Sequence, residues 1–267
     1  LLQLVKSCNV NVICGRRNRP LIPVDNKPIL ANENDSIFSK LKVWTKDEKG
    51  NDYLIDYRGY TVSYNMLTKT PEWVAYELTA EETYGEAQRE GKFFRKDERI
   101  PLPQADDSDY RGSGWTRGHL APAADFRWDD EAMWETFYFT NCCPQDEELN
   151  NGIWNTLEKK CRKWARDNHY IYIVSGPIYG SNRYGTIGNS HVRVPDSFFK
   201  AIMMINHSGH HAIGFIMENS ANNGSLQSCA MSIDELEEIT GLDFFPALED
   251  GFEITAEEKY SFKPWKL

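Results

Sequence analysis

The chain has 267 residues, 40% of them hydrophobic and 26% charged, with a formal net charge of −10. Those numbers fit one large globular domain or two small ones. No stretch approaches the roughly 18 uncharged apolar residues of a membrane helix, which leaves no membrane partner to consider. Taken alone, the acidic balance argues against a nucleic-acid partner, because phosphate backbones repel an acidic surface.

Residues 1–50 differ in character from the rest of the chain. Arg16, Arg17, Pro20 and Pro23 precede a polar run from Asn32 to Ser36, with little periodicity. This is expected to be an N-terminal extension to a single domain over 51–267. A first residue of Leu rather than Met suggests a processed or truncated start. Tyr60–Tyr64 and Trp73–Glu77 carry the β-branched and aromatic enrichment of strands, with a turn over Thr68–Pro71. A long polar connection runs from Thr79 to Gly114, and loops of that length are usually functional. Glu147–Asn168 repeats apolar residues at helical spacing: Leu149, Ile153, Trp154, Leu157, Cys161, Trp164. Tyr170–Val174 then reads as a buried strand ended by Ser175-Gly-Pro177. Phe198–Ile205 and Ala212–Met217 form a strand pair turning at Asn206–Gly209. Ser232 and Glu235 make a capping box for a helix over Ile233–Thr240, stopped by Gly241. Strands joined by short turns and mixed with helices predict an α+β fold, a mainly antiparallel central sheet flanked by helices.

Chemistry concentrates in three runs: Thr116-Arg-Gly-His119 through Asp125, then Asn141 with Pro144-Gln145, then Asn150 through Trp154 and Glu158 to Arg162. Phosphodiester hydrolysis needs an activated nucleophile and neutralisation of charge at phosphorus and on the leaving oxygen. A neutral His takes a proton from water, and Arg forks match phosphate oxygens. His119, Arg117 and Arg162 supply these groups. A hard cation such as magnesium accepts a single amide oxygen when nearby groups orient its remaining waters. Asn150 and Glu158 could do this, and Glu158 stands four residues before Arg162, so the two could pair.

These runs resemble the DNA/RNA non-specific endonucleases of the ββα-metal type, the endonuclease G-like group, over about Tyr60 to Pro246. The resemblance implies a ββα-metal active-site motif and a magnesium-dependent endonuclease, with manganese or another divalent cation able to substitute. It implies DNA and RNA as substrates, His119 as general base, Asn150 as the one protein ligand of the metal, Glu158 among the metal's waters and Arg162 at the phosphate. Arg117 and Asn141 would support the site. Lys92–Asp97 is similar to a basic substrate-contacting stretch of that group. The chain departs at Thr116, where the group usually has Asp; Thr can hydrogen-bond but brings no negative charge.

Each residue also has a plainer reading. Asn150 alone reads as a helix N-cap, Glu158 and Arg162 as an exposed helix pair, and His119 as a structural histidine. The four elements in order, with His119 and Asn150 separated by 31 positions, favour the catalytic one. The alternative is a catalytically impaired nucleic-acid-binding or partner-binding protein that keeps the fold; a phosphodiesterase of small nucleotides is a third reading. His207, His210 and His211 are expected to be solvated residues of a hairpin turn. Cys142 and Cys143 are expected to be buried thiols, and Cys8 and Cys14 a candidate disulfide. The acidic sum is offset locally by Lys159, Lys160, Arg162, Lys163 and Arg166 on the helix and by Arg95, Lys96, Arg99, Arg111 and Arg117 before it, with excess acid elsewhere, notably at Glu235–Glu238 and Glu249–Glu258. A secreted or periplasmic location and a monomer or homodimer complete the expectations.

Overall fold

The computed structural model describes residues 14–16, 43–45, 52–206, 209–245 and 260–267, with backbone alone for 14–16, 43–45 and Asp52. Cys8, His207 and the acidic run Glu249–Glu258 lie outside the described residues. The strands are β1 (Cys14–Arg16), β2 (Val43–Thr45), β3 (Asp52–Asp56), β4 (Thr61–Asn65), β5 (Thr70–Thr79), β6 (Thr116–His119), β7 (Cys142–Gln145), β8 (Tyr170–Ile178), β9 (Thr186–Ile187), β10 (Val192–Arg193), β11 (Ser197–Asn206), β12 (Gly209–Glu218), β13 (Ala230–Met231) and β14 (Leu242–Phe244). The helices are α1 (Asp107–Tyr110), α2 (Asp130–Glu135), the long α3 over 147–168, α4 (Ile233–Thr240) and α5 (Phe262–Trp265).

Eight strands form one sheet in the order β13-β12-β11-β8-β5-β4-β3-β2, antiparallel at every pairing. This is the expected α+β architecture. β2 adds an outer strand, and β1 pairs with β14, so both short segments from residues 1–50 are joined to the domain by their backbones.

The sheet separates two cores through its two-residue period. Val74, Tyr76 and Leu78 of β5, Ile171 and Ile173 of β8, and Phe198, Ile202 and Met204 of β11 face one way. They meet Trp154, Leu157, Cys161, Trp164 and Ala165 of α3. Trp73, Ala75, Val174, Phe199, Ala201 and Met203 face the other way, covered by Ile233 and Leu236 of α4. The α4 capping box forms as expected, and Gly241 ends the helix at φ 67°. A third, smaller cluster of Tyr110, Phe139, Cys142, Ile187, Val192 and Val194 lies beside β7.

Two expectations need correction. β8 does not stop at Ser175-Gly-Pro177 but continues to Ile178, pairing Pro177 with Phe198. Pro is tolerated because the β5 ladder ends at Ser175, so no donor is needed on that side. The cap of α3 is Asp146, whose carboxylate accepts from Glu148 N and Leu149 N; Asn150 already lies inside the helix.

Candidate active site

β6 and β7 form an antiparallel ribbon of their own, pairing Thr116 with Gln145 and His119 with Cys142. In chain order the ribbon leads directly into α3. Gly118 is required by close approach: a Cβ there would lie 2.6 Å from Gln145 Cβ. Cys142, Cys143, Cys161 and Cys229 are all buried free thiols.

α3 is not a uniform α-helix. Residues Asn150–Trp154 form a π turn in which Gly152 leaves helical geometry at φ −96°, ψ −112°. Such wide turns are frequent at functional sites. At about 100° per residue, an unbroken helix would set Asn150 and Glu158 roughly 80° apart and Asn150 and Arg162 roughly 120° apart. The break at Gly152 interrupts that periodicity, so Asn150 lies on one side of a kink and Glu158 and Arg162 on the other.

Asn150 meets the ribbon at Thr116: its Nδ2 lies 3.1 Å from Thr116 Oγ1. The Thr116 hydroxyl donates its only proton to the Gln145 carbonyl at 2.8 Å, so it has only lone pairs left for Asn150. This fixes the amide orientation: NH₂ toward Thr116, Oδ1 turned away and free of hydrogen bonds among the described residues. Thr116 is three residues from His119 on the same strand, about 10 Å of backbone.

His119 is 9% exposed. Its ring packs against Phe94 at 4.6 Å and edge-on to Phe137 at 5.0 Å between centroids. Burial, and secondarily the Arg89 charge, push its pKa down to about 3. The imidazole is therefore neutral at pH 7 and able to accept a proton. Nε2 is buried without a hydrogen-bond partner among the described residues.

Glu158 is half-buried, and burial pushes its pKa up to about 7 against the opposing charge of Lys200. Lys200 is fully buried, its Nζ 2.6 Å from Ser175 Oγ and 4.6 Å from the Trp154 ring. Arg162 does not pair with Glu158. Its Nη1 donates to the buried Asp125 at 2.6 Å, and the second Asp125 oxygen accepts from Tyr76 OH at 2.8 Å. One guanidinium edge is held this way and further donors remain. Arg117 pairs with Asp107 at 2.6 Å and covers the Tyr110 ring at 5.3 Å.

Asn141 is fully committed to structure. Its Oδ1 accepts from Ala121 N at 2.9 Å, and its Nδ2 donates to the Ala121 and Thr136 carbonyls at 2.9 Å each. It fixes the chain just after His119 and presents nothing to a ligand. On α3, Lys160 donates to the Lys266 carbonyl and Lys163 pairs with Asp167, so these cations cover the outer face. Among the described residues no three His, Cys, Asp or Glu side chains could jointly hold a metal ion, and none of the paired His210 and His211 enters such a group.

Asp125 and Lys200 carry roles that the sequence alone did not assign. Asp125 stands six residues after His119 in the same dense run. Lys200 interrupts the apolar strand Phe198–Ile205, and a charge there is the signal that marks it.

The scaffold is thus α+β, and the β6–β7 ribbon that carries His119 touches α3 through the Thr116–Asn150 hydrogen bond. Residues 40–251 match the DNA/RNA non-specific endonuclease family, and the chain belongs to that family. It is 37% identical over 208 residues to the mitochondrial nuclease EXOG of Xenopus laevis, covering 72% of this chain and 58% of that protein. It is 34% identical to the mitochondrial endonuclease G of Homo sapiens, covering 70% and 67%, and 32% identical to a nuclease of a Nostoc species, covering 78% and 79%. A solved EndoG chain in complex with EndoGI superposes with a TM-score of 0.70 at 29% identity, covering 74% of this chain and 88% of that one. The chain spans 58% of the frog EXOG length it matches. Relatives from frog, human and yeast are named mitochondrial, which does not match the secreted or periplasmic location expected from sequence. No helix among the described residues is long and apolar enough to cross a membrane.

Proposed function

We propose that this protein is a magnesium-dependent endonuclease that hydrolyses phosphodiester bonds of DNA and RNA. The observation that carries the reading is the Thr116-held amide of Asn150, its oxygen free, on the helix next to the strand that bears the neutral His119.

In this reading the His119 imidazole takes a proton from a water as that water attacks phosphorus, the P–O3′ bond breaks, the departing 3′ oxygen takes a proton from solvent, and 5′-phosphate and 3′-hydroxyl ends result. A bound phosphate places negative charge beside the imidazole and raises its low pKa toward the working range. Asn150 Oδ1 would hold the cation, with Glu158 accepting hydrogen bonds from its waters. One amide oxygen with no carboxylate cage fits an ion that keeps most of its hydration, which is magnesium's habit. When bound, the ion supplies charge neutralisation at the phosphate and the departing 3′ oxygen. Arg162, anchored at one edge by Asp125, offers its remaining donors to phosphate oxygens. Asn141 and Arg117 act as positioning residues. The names of the frog, human and yeast relatives support a mitochondrial rather than a secreted location.

The second reading, a nucleic-acid-binding protein without catalysis, is favoured by Thr116 in place of the family's usual Asp. A plasmid-nicking assay separates the two. Cleavage with magnesium, none with a chelator and none for His119→Asn is the expected result; undiminished cleavage by His119→Asn would remove the general-base assignment.

A further inference from the structure

Among the described residues Lys200 is the only lysine or arginine withdrawn completely from solvent. It stands on β11 between Phe198 and Ile202, on the face that packs against α3, where the two-residue period calls for an apolar side chain. Its cross-strand neighbours are Ser175 of β8 and Phe215 of β12. The ammonium donates to Ser175 Oγ at 2.6 Å and lies 4.6 Å from the centre of the Trp154 ring. No carboxylate comes within ion-pair distance of it among the described residues. A buried charge answered by one hydroxyl and one ring face is costly, and an apolar side chain of the same length would pack there at lower cost. Its placement therefore calls for a role other than folding.

The ammonium faces the helix that carries Asn150. Trp154 closes the turn Asn150–Trp154 in which that helix breaks at Gly152. Asn151 and Gly152 are exposed, whereas Trp154 is 1% exposed and packs on Phe198 at 5.7 Å, so its ring anchors the turn in the core. Glu158 follows about one helical turn later. Burial drives Glu158 toward the neutral acid. Among the charges acting on it, Lys200 is the strongest and opposes this, ahead of Asp125, which adds to it, and Arg162, which also opposes it.

We infer that Lys200 is a positioning residue for the magnesium site. It seats Trp154, and with it the turn bearing Asn150, and it sets a fixed positive charge behind Glu158 so that a carboxylate faces the cation's waters. The inference rests on the nuclease reading and adds to it a residue that touches neither substrate nor metal. Groups that orient the ligands and waters of an ion from behind act on its affinity, which is where the effect of Lys200 is to be read.

The test measures manganese binding to the full chain at neutral pH by electron paramagnetic resonance, with thermal melting in chelator and plasmid nicking in parallel. Lys200→Met should melt at or above the unaltered chain, because an apolar side chain replaces an unpaired buried charge, yet should bind manganese about tenfold more weakly. Lys200→Gln, which can still reach Ser175 but brings no charge, should show the same loss. In a Glu158→Gln background Lys200→Met should cost only about twofold, because no carboxylate remains for the charge to act on. Unchanged manganese binding in both Lys200 variants, or equal losses with and without Glu158, would overturn the role. A lowered melting temperature with metal binding intact would do the same, since it marks a residue needed only for folding. Absence of manganese binding and of cutting by the unaltered chain sinks the nuclease reading itself, whereas binding and cutting with no Lys200 effect sinks the positioning role alone.

Discussion

Thr116→Val removes one oxygen at nearly constant volume and so isolates the hydroxyl that orients Asn150. Two hydrogen bonds disappear, the one from Asn150 Nδ2 at 3.1 Å and the one to the Gln145 carbonyl at 2.8 Å. Each is worth about 0.5–1.5 kcal/mol net, and the site is only half-buried, so a loss of about 1–2 kcal/mol is expected. At roughly 2–4 °C per kcal/mol for a domain of this size, Tm should fall by about 2–8 °C. The amide also loses its preference for one orientation, worth about 1 kcal/mol, so half-saturation by magnesium should require about fivefold more ion. Thr116→Ser should restore both. Thr116→Asp cannot donate to the Gln145 carbonyl and should melt below Thr116→Ser. The assay is plasmid nicking against magnesium concentration, with thermal melting in parallel. A lowered Tm with an unchanged magnesium midpoint would refute the orienting role.

The remaining predictions concern pH and packing. His119 is held down at about 3 from an ordinary 6.5, so its contribution to stability is complete above pH 6.5 and is lost as pH falls toward 3. Glu158 is pushed up to about 7 from 4.5, so the opposite holds: its contribution is present below 4.5 and is lost as pH rises to 7. Melting in chelator from pH 4 to 8 should therefore show reduced acid sensitivity for His119→Asn and a flatter neutral limb for Glu158→Gln; parallel curves for all three proteins would contradict both assignments. Gly118→Ala drives a methyl into the Gln145 side chain, costing about 1–3 kcal/mol, and should lower nicking activity through the displaced ribbon, whereas near-normal melting and activity would show that Gln145 yields freely.

The main sheet and α3 were legible because their signals are local: the two-residue alternation of β5, β8 and β11, and the helical repeat from Leu149 to Trp164. Catalytic candidates were legible because their types and spacing are unusual together. Three features were not legible. The break in the helix at Gly152 leaves no periodic signal, since the apolar repeat continues on both sides of it. The partner of Arg162 was misread because Glu158 is a sequence neighbour at helical spacing, while Asp125 approaches from a separate segment. The partners of the Asn141 amide, Ala121 and Thr136, could not be read from its residue type. On charge, Arg89 and Arg95 have no carboxylate partner among the described residues and lie near His119, while Glu235 and Glu238 lie on α4, across the sheet.

A crystal grown with manganese and measured at its absorption edge tests the central claim most directly. The arrangement predicts anomalous density about 2.0–2.2 Å from Asn150 Oδ1, with waters filling most of the remaining positions and Glu158 reached through one of them. Density absent from Asn150, or an ion bound instead by carboxylates elsewhere, would contradict it.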